Sequence, residues 1–182
     1  LDYMKDVYTL AKEKNLKVHL DGARLFNAAT FLKVDASEIC QYVDSVTFCL
    51  SKGLASPIGS VLCGSKEFIH KARRGRKMLG GGMRQVGVLG AAGLISLKEM
   101  TKRLHIDHDN AKYLADKLHQ IKEIEVDYSS LDINMVFIKS TIDFMKLAEY
   151  LSGKGIIITG TRGKRTRFAV HNDITRDNID QL

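Results

Sequence analysis

The sequence predicts an open α/β sheet followed by a small α+β cap. Three observations lead there: helical and strand-like patterns alternate over residues 1–99, two strand-like runs end in the polar residues Asp21 and Lys52, and the composition shifts after about residue 100. Residues 1–99 are therefore expected to form the sheet domain and 100–182 the cap. With 182 residues and 45% apolar content the chain can bury a core, which rules out disorder.

Residues 3–15 place Tyr3, Met4, Val7, Tyr8, Leu10 and Ala11 at a helical period, and Asn15 stops that helix. A short strand over 16–20 ends at Asp21-Gly22. Residues 39–42 close another helix, 45–50 read as a buried strand ending at Ser51-Lys52-Gly53, and 60–64 as a third strand. Residues 66–78 form the next helix, which Gly80-Gly81-Gly82 interrupts; 84–121 then carry a long helical pattern, rich in small residues between Gly87 and Gly93. The glycine run reads first as a hinge or packing feature, with an anion cradle on free backbone N–H groups as the other reading. The cap continues with strands over 123–128 and 134–139, a helix over 142–153, strands over 156–159 and 166–170, and a last helix reaching Leu182. There is no internal repeat, and Pro57 is the single proline.

Positive charge is local. The chain has 28 Lys plus Arg against 21 Asp plus Glu, a net +7. Nine of those bases sit in two acid-free stretches: Lys71, Arg73, Arg74, Arg76 and Lys77, then Arg162, Lys164, Arg165 and Arg167. The other 19 are balanced by the 21 acids. Such clusters suit an anionic ligand or a solvated helix face. The absence of Trp, and of any aromatic within either cluster, argues against nucleic acid. No apolar run approaches the roughly 18 residues of a membrane-spanning helix, so no membrane partner is expected. Cys40, Cys49 and Cys63 are odd in number and lack CxxC spacing, which points to a reducing compartment with neither disulfides nor a metal site. The chain starts at Leu1 without a leader pattern and reads as a processed or partial product.

Chemistry concentrates on two strand ends. Lys52, between Ser51 and Gly53 after an apolar strand, is placed where an amine can be held nucleophilic; the alternative is a strand-end lysine snorkelling to water. Asp21 ends another strand. An amine that binds an aldehyde and a carboxylate that holds a pyridine proton are the needs of pyridoxal 5'-phosphate. His19, two residues before Asp21, is expected on the same strand face, and His105, His108 and His119 on the polar surface of a helix.

Three motifs in order carry a resemblance: Val18-His19-Leu20-Asp21-Gly22-Ala23-Arg24-Leu25-Phe26-Asn27-Ala28, Phe48-Cys49-Leu50-Ser51-Lys52-Gly53-Leu54, and Arg76-Lys77-Met78-Leu79-Gly80-Gly81-Gly82-Met83-Arg84-Gln85. Together they resemble the low-specificity L-threonine aldolases, beta-eliminating lyases of fold type I, the aspartate-aminotransferase-like fold. The likeness runs along the whole chain and corresponds to the C-terminal half of such enzymes, whose members are nearly twice this size. Residues 1–99 would then be part of the large cofactor-binding domain and 100–182 the small domain. Ser56 departs from the alanine usual before Pro57.

The resemblance implies that Lys52 carries the cofactor, Asp21 holds its pyridine nitrogen, and Ser51 lies against it. It implies that Arg24 reaches the cofactor's phenolic oxygen or the substrate carboxylate, and that Arg167, in Arg167-Phe168-Ala169-Val170-His171, grips the substrate carboxylate. Lys77 and Arg84 fall near the substrate and the subunit contact. The implied reaction cleaves L-threonine or L-allo-threonine, β-hydroxy-α-amino acids, to glycine and acetaldehyde in a cytoplasmic homo-oligomer, a dimer or tetramer. The ring-stacking histidine and most of the phosphate cup would precede Leu1, so weak cofactor binding and little activity are expected of this chain alone. Another pyridoxal-dependent lyase or racemase reaction, and a non-catalytic fragment, stay open as alternatives.

Overall fold

One three-stranded sheet organises the first of two units, Leu1–Leu104, and a second organises the other, His105–Leu182. The computed structural model describes residues 1–158 and 165–182.

In the first unit, helix α1 (Asp2–Glu13) ends where Asn15 takes φ 55°, a left-handed conformation that asparagine tolerates. Strand β1 (His19–Asp21) pairs in parallel with β2 (Ser45–Cys49), and β2 pairs antiparallel with β3 (Ser60–Gly64). Parallel neighbours need a crossover, which α2 (Leu25–Leu32) and α3 (Ala36–Cys40) provide. Helix α2 has no counterpart among the predicted elements. It is apolar at most positions, so no stripe stands out, and Arg24 provides no side-chain cap. Helix α3 is well signalled, by a capping box between Asp35 and Glu38.

Strand β2 alternates, burying Val46 and Phe48 against Leu25, Ala29 and Ile39. Phe26 of α2 meets Phe48 edge-on, with ring centroids 5.2 Å apart. The opposite sheet face carries His19 and Asp21 beside Ser45 and Thr47, all exposed or half-buried. His19 thus shares a face with Asp21 as expected, its ring within 2.9 Å of the Ser45 hydroxyl.

Ser65 caps helix α4 (Lys66–Met78) by accepting a hydrogen bond from the Phe68 N–H. The glycine run closes this helix. Gly80 takes φ 85°, and the Gly81 N–H donates to the Arg76 carbonyl at 2.8 Å. A Cβ at Gly81 would lie 2.7 Å from Arg76 Cγ, a close approach to the end of α4, whereas Gly80 has open space around it. The expected long helix over 84–121 is in fact α5 (Gly87–Lys98), a 3₁₀ turn at Met100–Arg103, and α6 (Leu104–His119). At the break the Thr101 hydroxyl donates to the Leu97 carbonyl, an acceptor that an unbroken helix gives to a backbone N–H. Helix α5 is apolar on every side, yet it buries only Gly93 and Ser96 and exposes Val88, Leu94 and Ile95.

In the second unit, β4 (Ile124–Val126), β5 (Met135–Ser140) and β6 (Arg165–Ala169) form an antiparallel sheet in that order. Val136 and Ile138 are fully buried, packed with Ala111, Leu114, Ala115 and Leu118 of α6, Phe144 of α7 (Phe144–Ser152) and Ile179 of α8 (Arg176–Asp180). The strand expected over 123–128 ends at Val126, where Asp127 leads into a 3₁₀ turn at Tyr128–Ser130. Ile156–Ile158 pairs with no strand among the described residues. Gly155 at φ 80° and the Ile156 N–H bonded to the Leu151 carbonyl make this stretch the closure of α7, and Ile157 is 90% exposed. Thr159, Arg162 and Lys164 lie outside the described residues. His105 and His119 are exposed as expected, but His108 is buried. It stands between Leu104 and Ala111 on the covered side of α6, and burial pushes its pKa down. Among the described residues, no helix is long and apolar enough to cross a membrane.

Candidate active site

Parallel pairing decides where the two key side chains stand. Asp21 is in register with Thr47, and the alignment continues past β1: the Gly22 N–H donates to the Thr47 carbonyl at 2.8 Å and the Cys49 N–H to the Ala23 carbonyl at 3.3 Å. Lys52 follows three residues after Cys49, so Asp21 lies at, and Lys52 just beyond, the carboxyl ends of adjacent parallel strands. That is the edge at which open α/β sheets bind ligands. Both residues are exposed, and Asp21 has no ion-pair partner among the described residues.

Lys52 is carried on a tightly closed turn. The Ala55 N–H donates to the Lys52 carbonyl at 2.9 Å and the Ser56 N–H to the Leu50 carbonyl at 3.0 Å, while the Leu50 N–H donates to the Gly59 carbonyl at 2.9 Å. Ala55 sits at φ 54°, a left-handed conformation that costs a non-glycine residue roughly 1–2 kcal/mol. Such strain persists where the surroundings impose it. They do so on two sides. A Cβ at Gly53 would come within 2.8 Å of Asn27 Oδ1 and 3.1 Å of Leu104 Cδ2, so a larger residue there would have to displace the buried Asn27 or Leu104 side chain. The Ser56 hydroxyl meets that of Ser96 in α5 at 2.7 Å, with both residues buried.

Arg24 is half-buried at the head of α2, three residues past Asp21, and Ser51 is exposed beside Lys52. Lys77, in the last turn of α4, and Arg84, on the connection from α4 to α5, are exposed, and no hydrogen bond or ion pair among the described residues joins them to Asp21 or Lys52. In the second unit, β6 separates two arginines that look equivalent in sequence. Arg165 is committed, 3.2 Å from the Asp127 carboxylate and 4.8 Å over the Phe137 ring. Arg167 is exposed, without an ion-pair partner among the described residues, and lines a cleft of about 530 Å³ with Phe168, His171 and Ile158.

Sequence reasoning gave no role to Asn27 or Ser96 and noted Ser56 only as a departure from alanine. Ser96 carried a usable signal, being a hydroxyl on the face of an apolar helix; its partner, 40 residues away, did not. As a donor set, an exposed amine on a fixed turn and a carboxylate without an ion pair among the described residues, at the same strand end, fit an aldehyde-bearing pyridine ring.

The first 141 residues match the family model described as beta-eliminating lyase. The chain is 43% identical, over 98% of its length and 51% of the relative's, to low-specificity L-threonine aldolase 1 of Arabidopsis thaliana. It is 40% identical, over its full length and 53% of the relative's, to the low specificity L-threonine aldolase of Escherichia coli K12. It therefore spans about half the length of the curated relatives it matches. Among solved structures, a Listeria monocytogenes chain aligns with a TM-score of 0.82 at 19% identity, over 97% of this chain and 53% of that one. Leishmania major threonine aldolase aligns with a TM-score of 0.73 at 17% identity, over 98% of this chain and 53% of that one. These likenesses give the fold, the α/β architecture of that group. With a model matched over most of its residues and relatives this similar along its whole length, the chain belongs to the beta-eliminating lyase family.

Proposed function

We propose that this chain carries the lysine-bearing part of a pyridoxal 5'-phosphate-dependent aldehyde-lyase that cleaves the Cα–Cβ bond of L-threonine or L-allo-threonine, giving glycine and acetaldehyde. The observation that supports it most is the shared strand end of Asp21 and Lys52. The relatives' names supply the substrate class. When bound, pyridoxal phosphate supplies an aldehyde carbon and a ring that draws off the electron pair left at Cα. Asp21 holds a proton at the ring nitrogen. Lys52 Nζ would bind the aldehyde and, when not so engaged, could take or give a proton at the substrate. Arg24 and Arg167 offer planar forks suited to a carboxylate or phenolic oxygen. Ser51 is offered to the cofactor, Lys77 and Arg84 to the substrate. Dimers or tetramers belong to the same proposal.

Asp21 and Lys52 both meet water in this chain, which supports weak cofactor binding and slow turnover by the chain alone. Titration with pyridoxal phosphate, followed by borohydride reduction and peptide mapping, tests the reading. A reduced adduct at residue 52, lost in Lys52→Ala without loss of fold, is expected. An absorbance change that Lys52→Ala leaves intact would refute it. Products from threonine, compared with those from serine and tyrosine, separate aldol cleavage from β-elimination.

A further inference from the structure

Helix α5 touches both ends of the lysine turn from one of its faces. Gly93 approaches Leu50 so closely that a Cβ there would lie 3.2 Å from Leu50 Cδ1, and Ser96, three residues on, meets Ser56. Leu50 enters the turn and Ser56 leaves it; their backbones are bonded to each other, and Lys52 stands between them. The serine pair is 7% and 3% exposed. Two methyl groups would fill the same space, and removing both partners of a buried hydrogen bond is close to neutral for stability. What the pair adds is direction and distance, since a hydrogen bond tolerates little change in either.

We propose that Ser56 and Ser96 are positioning residues, a buried latch that ties the turn to α5 and so sets the reach of Lys52 Nζ toward a bound aldehyde. The inference rests on reading Lys52 as the aldehyde-binding amine. It goes beyond that reading in assigning the amine's placement to a helix whose own residues touch neither cofactor nor substrate.

The test compares the full chain with Ser56→Ala/Ser96→Ala and with Ser96→Thr, which keeps the hydroxyl. Three quantities are read: the unfolding midpoint, amide exchange over residues 50–56, and the rate at which pyridoxal phosphate with borohydride labels Lys52 relative to exposed Lys122. The double variant is expected to keep its midpoint, exchange the turn amides faster and label Lys52 about tenfold more slowly, with Lys122 unchanged. Ser96→Thr is expected to keep the original rate. If the double variant unfolds, Ser96→Cys, of similar shape but a weaker hydrogen-bonding group, carries the same comparison. Unchanged Lys52 labelling in a folded variant overturns the latch alone, even if exchange rises. Labelling of Lys52 no faster than Lys122 in the unaltered chain overturns the lysine reading, and the latch with it.

Discussion

The second unit is the shorter of the two and has the thicker core. Among the described residues, eleven buried apolar ones form one cluster within His105–Leu182, whereas Leu1–Leu104 gathers five. Helices α1 and α4 bury no residue at all, and α5 buries only a glycine and a serine. The first unit nevertheless carries Asp21 and Lys52. Local pattern suffices to define helices there, but tertiary packing is what makes a helix stable, and in this unit the packing covers one side only. Where apolar cover is thin, fixed geometry has to come from something else. Around Lys52 it comes from directional contacts: a hydroxyl pair, a glycine wedged against Asn27 and three backbone hydrogen bonds.

The sharpest way to break this contrast is in the second core. Ile138→Ala is expected to cost about 2–5 kcal/mol in denaturant unfolding, since the side chain is fully buried. A loss below about 1 kcal/mol would mean that this core is looser than its burial implies.

Acid should separate the units next. The buried His108 has its pKa lowered, chiefly by desolvation, so its contribution is intact above its ordinary value of 6.5 and erodes as pH falls below it. His108→Gln is expected to flatten the stability loss between about pH 7 and pH 5. In the first unit, Asp44 accepts from the Val18 N–H, Lys12 and Lys17, each at 2.9 Å, which holds its carboxyl well below the usual range. Its contribution is present above the ordinary value of 3.8 and is lost as pH falls beneath it. Asp44→Asn should therefore lower stability above that value and flatten the loss as pH falls beneath it. Urea midpoints against pH for the two variants decide the matter, and profiles parallel to the unaltered chain would place the titration elsewhere. The smallest effect is expected on α5: Leu94 is 58% exposed, so Leu94→Lys should shift stability by no more than about 0.5 kcal/mol, read by thermal unfolding.

The three strands of the first sheet were legible because β2 alternates cleanly and the runs leading to Asp21 and Lys52 are apolar, whereas nothing in the sequence announced that β3 pairs antiparallel. Helix α2 was not legible, since an almost wholly apolar octapeptide has no contrast to read. His108 could have been recognised as buried. It falls four residues after Leu104 and three before Ala111, in step with the apolar positions of α6. The serine latch was out of reach, because nothing local links Ser56 to a helix forty positions away. The fates of Arg165 and Arg167 likewise depend on Asp127 and Phe137, which only folding brings near.

The uncovered side of α5 follows a helix, α4, that holds five of the chain's bases within seven residues. At low ionic strength a net +7 keeps molecules apart, because repulsion reaches out to a Debye length of about 10 Å at 0.1 M salt. Raising salt to about 1 M shortens that reach to about 3 Å. Concentrated salt thus removes the electrostatic guard from an oily cylinder, and solubility should fall as ionic strength rises.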